Sequence, residues 1–96
     1  MPAYVTLVNF TEQGARTIKD SPKRFEALRS VAEATGVSIK SVHWTTGAYD
    51  MVVVSEGQED VVMKLALKIA ALGNARTQTL RGFTAAEMAK LVAELQ

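Results

Sequence analysis

The 96-residue chain carries eleven basic and ten acidic residues, a formal net charge of +1, and no cysteine. Near-neutrality provides no strong field to draw nucleic acid or an anionic membrane, and the missing thiols exclude disulfides, thiolate metal sites and thiol catalysis. With 48% hydrophobic and 22% charged residues, the composition is that of one folded domain over residues 1–96. A domain this small buries only about 60–65% of the surface its unfolded chain exposes, so a partner chain would add to its stability. No apolar stretch approaches the ~20 residues of a membrane helix. The N-terminal Met1-Pro2-Ala3-Tyr4-Val5 has no signal-peptide pattern, and a cytoplasmic protein is expected.

In chain order, Ala3–Phe10 reads as a first strand, rich in Tyr4, Val5, Thr6, Leu7 and Val8. Thr11 is placed to cap a short helix over Glu12–Lys19, against which Gly14 counts. Ser21-Pro22 restarts the helix, serine as the cap and proline as the first helical residue. Phe25, Leu28 and Ala32 then recur at helical spacing up to Gly36. Val37–Trp44 and Ala48–Ser55 are expected strands around a turn at Thr45-Thr46-Gly47. After Gly57, a helix from about Gln58 to Leu72 buries Val61, Val62, Leu65, Ile69 and Leu72, and Gly73-Asn74 ends it. Ala75–Arg81 is the fourth strand. Thr84-Ala85-Ala86-Glu87 is a capping box that opens a last helix, with Met88, Leu91, Val92 and Leu95 along one stripe. The pattern predicts an α+β fold, a ferredoxin-like βαββαβ sandwich with an extra C-terminal helix.

Two helices cover one face of a four-stranded sheet, and a solvated second face should alternate between apolar and polar residues. Here both faces are apolar. Tyr4, Val8 and Phe10 alternate with Val5 and Leu7 in the first strand. In the third, Tyr49, Met51 and Val53 alternate with Asp50, Val52 and Val54. Such a face predicts association with a second copy, face to face, each sheet closing the other. The alternative is that the C-terminal helix folds back over its own sheet.

Candidate ligand-binding residues concentrate at the hairpin. Trp44 and Tyr49 could stack on a planar ligand, with His43 and Asp50 hydrogen-bonding its edge. Strand propensity explains the same aromatics without a ligand. Asp50, among apolar neighbours, needs a partner: Arg76, Arg81, Lys40, His43 or backbone amides. His43 is the only histidine. It has the pKa range of a general base, but with one aspartate it falls short of the three or four ligands of a metal site. The glycines are isolated, so there is no phosphate-cradling loop, and no serine sits in a nucleophile elbow. Lys19, Lys23, Arg24 and Arg29 form a basic helix side interspersed with acids. The third strand lacks the aromatic motif of RNA-recognition modules, so no nucleic-acid partner and no membrane is expected. The sequence points to no particular cofactor.

Several segments together resemble the GYD domain family of small bacterial and archaeal proteins. They are Thr11-Glu12-Gln13-Gly14, Ile18-Lys19-Asp20-Ser21-Pro22, Trp44-Thr45-Thr46-Gly47-Ala48-Tyr49-Asp50, and Gly73-Asn74-Ala75-Arg76-Thr77-Gln78-Thr79-Leu80-Arg81. The family's glycine-tyrosine-aspartate signature takes the form Gly47-x-Tyr49-Asp50, with Ala48 inserted. The resemblance implies a ferredoxin-like, dimeric α+β-barrel fold and no established general activity. It adds interest to Lys19, Trp44, Tyr49, Asp50, Arg76 and Arg81. The leading functional expectation is a homo-oligomeric module without catalysis that binds a small ligand or a partner protein. The alternatives are a small dimeric α+β-barrel enzyme of oxygenase or isomerase type using Asp50 or His43, and a pure assembly component.

Overall fold

The computed structural model describes residues 1–95. Its elements run β1 (Ala3–Phe10), α1 (Glu12–Arg16), a 3-10 turn (Ile18–Asp20), α2 (Ser21–Ala34), β2 (Ser38–Trp44), β3 (Met51–Glu56), α3 (Glu59–Leu72), β4 (Ala75–Gly82) and α4 (Ala85–Ala93). The strands form one antiparallel sheet in the order β2-β3-β1-β4. This is the ferredoxin-like arrangement, with the C-terminal helix appended.

Local chemistry accounts for most element boundaries. The Thr11 hydroxyl accepts from the Gly14 amide at 3.2 Å to cap α1 and donates to the Gly73 carbonyl at 2.6 Å. The Gln13 amide group donates to Leu72 O and to Asn74 Oδ1, and Thr11 N donates to Asn74 O. The start of α1 therefore satisfies the carbonyls that the end of α3 leaves free. The expected helix Glu12–Lys19 is shorter than its pattern, closing at Arg16 and tightening into the 3-10 turn. Ser21 is the first residue of α2 and makes no cap bond. Its buried hydroxyl instead accepts from the Trp44 indole at 3.0 Å. The capping box is formed: Thr84 Oγ1 accepts from Glu87 N, and the Glu87 carboxylate accepts from Thr84 N at 2.9 Å. That bond to the Thr84 backbone amide holds the Glu87 carboxyl below the usual carboxylate range.

Both apolar clusters lie on the helix side of the sheet. One joins Tyr4, Ala32, Val37 and Val62; the other joins Val8, Phe25 and Met51. Helix α4 does not fold back over the sheet. It packs substantially on no other element, and Met88, Leu91 and Val92 are 52%, 45% and 52% exposed. Met63 and Leu67, on the outer side of α3, are exposed as well.

Gly14 is buried where α1 meets the α3–β4 connection, and a Cβ there would fall on the Asn74 carbonyl oxygen. Backbone is the obstacle, so relief requires moving α1 away from Asn74. Gly14→Ala is expected to destabilise the fold by roughly 1–3 kcal/mol in urea unfolding, whereas helix propensity alone predicts a gain. A gain would show that the junction is loose.

Candidate functional site

The β2–β3 connection departs from the expected hairpin in one respect: β3 begins at Met51 and not at Ala48. Gly47 takes φ +106°, a left-handed value that favours glycine. Thr45 closes the loop through its amide to Asp50 O at 2.9 Å and its hydroxyl to Tyr49 O at 2.6 Å. The strand alternation therefore does not reach Tyr49. Met51 points to the helices, while the Tyr49 hydroxyl lies 3.4 Å from Gln78 Oε1 on β4. Gln78 opposes Leu7 on the other face, so Tyr49 reaches across β1 on the open side.

Asp50 finds its partner in the backbone. Its amide donates to Val8 O at 2.8 Å, and its carboxylate accepts from Phe10 N at 2.8 Å. The β1–β3 ladder ends at Val8–Met51, so the carboxylate satisfies an amide that no strand partner reaches.

The other sequence candidates fall in four places. The indole of Trp44 faces α2, bonded to Ser21 and set edge-to-face on Phe25 with ring centroids 6.0 Å apart. His43 lies on the opposite face. The register of β2 slips between Ile39 and Ser41, leaving Lys40 as a bulge. One extra residue reverses every later side chain, turning Val42 and Trp44 toward the helices and His43 outward. Arg76, opposite Asn9 on β4, shares this outer face. Arg81 sits at the far end of β4, 4.4 Å from the Phe83 ring centroid and 3.9 Å from the Glu87 carboxylate. Lys19 is exposed on the 3-10 turn. The seven residues thus do not converge on one pocket. None of them lines the cavity of about 130 Å³ between the sheet and the two long helices.

His43, Tyr49 and Arg76 do share a surface. Register places Ser41–Val54–Val5–Leu80 in one row across the open face and His43–Val52–Leu7–Gln78 in the next. Val5, Leu7, Val52, Val54 and Leu80 form an apolar centre, and no helix covers it. Ser41, His43, Tyr49, Gln78 and Arg76 surround it. An apolar centre inside a polar rim is the anatomy of a protein interface.

A sequence profile of the GYD domain family matches residues 4–92. The chain belongs to the GYD domain family. Among curated proteins it is similar to the glutamine synthetase and cystathionine beta-lyase binding protein of Thermus thermophilus, 31% identical over 90 residues that span 92% of this chain and 95% of that protein. In this GYD domain each signature residue has a distinct geometric place: Gly47 turns the chain, Tyr49 crosses the open face and Asp50 caps the end of the β1–β3 ladder. Asp50→Ala, which orphans the half-buried Phe10 amide, is expected to cost about 1–3 kcal/mol of stability in urea unfolding. Asp50→Asn, which keeps an acceptor oxygen, should lose less. Equal losses in the two variants would contradict the capping role.

Proposed function

We propose that this GYD domain is a homo-oligomeric protein-binding module without catalysis. Two copies pair through the open sheet face, and a partner enzyme docks on the apolar surface that this pairing leaves. The supporting observation is the amount of apolar surface unmatched within the chain. A five-residue patch lies on the open sheet, with Leu80 exposed and Val5, Leu7, Val52 and Val54 half-buried. A separate exposed stripe of Met88, Leu91 and Val92 runs along α4. Contiguous apolar patches of this kind mark association sites. The name of the Thermus relative supports a protein partner, and we take glutamine synthetase and cystathionine β-lyase as the first candidates for this chain. The cytoplasm is the setting of this reading.

The enzyme alternative has less support in the geometry. The Asp50 carboxylate is engaged by the Phe10 amide, and His43 lies on the face away from the helix-side cavity.

On this reading α4 presents its stripe as an amphipathic helix to a groove on the partner. Purified glutamine synthetase and cystathionine β-lyase from the same organism, titrated onto the immobilised protein, provide the test. We expect saturable binding of at least one enzyme, weakened tenfold or more by Leu91→Glu with the native fold retained. Absence of binding by both at tens of micromolar, or indifference to Leu91→Glu, would remove the proposal.

A further inference from the structure

The helix side of the sheet contains a feature that protein binding does not use. Helices α2 and α3 both lie on this face, and both contribute to one apolar cluster through Ala32 and Val62. Between them and the sheet lies the cavity of about 130 Å³. Protein interiors are normally packed with few voids larger than a water molecule. This one is partly open to solvent, and its volume is close to that of the apolar cavities of about 150 Å³ that take up a benzene-sized molecule. Small side chains keep this one open: Ala66 on α3 and Thr6 on β1 stand on its wall, where a larger residue would fill it.

Its lining is apolar at Val8, Phe25, Met51 and Ile69, but hydroxyls interrupt the sheet floor. Ser55 is only 6% exposed and borders the cavity. Among the described residues its side chain makes no hydrogen bond. Its hydroxyl oxygen is not sealed from solvent, so a molecule in the cavity can reach it. Thr6, on the neighbouring strand, meets only the Thr79 hydroxyl, at 3.5 Å. The one charged residue on the lining, Arg24, is committed elsewhere, donating to the Thr17 and Gly14 carbonyls.

We propose that this cavity is a binding site for a small neutral molecule with a benzene-sized apolar body and one hydroxyl or carbonyl group. The body lies among Val8, Phe25, Met51 and Ile69, and its polar group meets the hydroxyls of Ser55 and Thr6. The site lies on the opposite face of the sheet from the apolar patch assigned to pairing. Its existence is therefore independent of the protein-binding reading.

The test is an NMR titration of the intact methyl-labelled protein with benzyl alcohol, toluene and benzoate as probes. We expect saturable shifts confined to cavity methyls such as those of Val8, Met51 and Ile69. Ser55→Ala should weaken benzyl alcohol about fivefold, the loss of one hydrogen bond, and leave toluene unchanged. Ala66→Phe, which fills the void, should weaken both at least tenfold. Shifts scattered over the surface, no saturation up to the solubility limit, or undiminished binding to a folded Ala66→Phe variant would overturn the proposal. Benzoate binding as tightly as benzyl alcohol would overturn the assignment of a neutral ligand. If Ala66→Phe fails to fold, the shift map of the unsubstituted protein and the Ser55→Ala contrast decide the matter.

Discussion

A sheet has two faces, and this chain places both of its long helices on one of them. The remaining face carries Val5, Leu7, Val52, Val54 and Leu80 in adjoining rows, each flanked by strand neighbours and none beneath a helix. At roughly 25 cal/mol per Å² of apolar surface, leaving such a face in water forgoes a large part of the stabilisation available to so small a domain. The other distinctive features are arranged around this constraint. The Lys40 bulge sends His43 to the rim of the patch, and Tyr49 reaches across the same face to Gln78.

The helix side is held by discrete polar devices at its ends and by apolar packing between them. At one end, Thr11 and Gln13 tie α1 to the carbonyls at the end of α3, and Gly14 permits the close approach. Nearby, Asp50 caps the last amide of β1 and the Trp44 indole ties β2 to α2. The segments that carry the family likeness are largely these contacts, so much of the likeness reflects architecture. The cavity lies between these anchored ends, lined by the sheet and by residues of both long helices.

The order of elements was legible in the sequence because its signals are local. The Thr84–Glu87 capping box and the alternation of β1 are each written within a few residues, and the structure shows both. The features that escaped depend on neighbours. Ser21 reads as a helix cap because nothing nearby reveals that an indole on β2 will claim its hydroxyl. The Lys40 bulge has no sequence mark, yet it decides the faces of His43 and Trp44. Tyr49 reads as a strand residue alternating with Met51, but the loop bonds of Thr45 delay the start of β3 and free Tyr49 to cross the open face. Two-sided apolarity identified the open sheet. The cavity opposite could not be foreseen, since Ser55, Thr6 and Ala66 are ordinary strand and helix residues until their packing is seen.

The central claim is that a second copy of the chain covers the open sheet face. Sedimentation equilibrium over a micromolar concentration range measures this directly, on the unsubstituted protein and on Leu7→Arg, which places a charge at the middle of the patch. The account predicts a dimer or a multiple of it for the unsubstituted chain and a folded, destabilised monomer for Leu7→Arg. A stable monomer for the unsubstituted chain, or an assembly unchanged by the arginine, would contradict it.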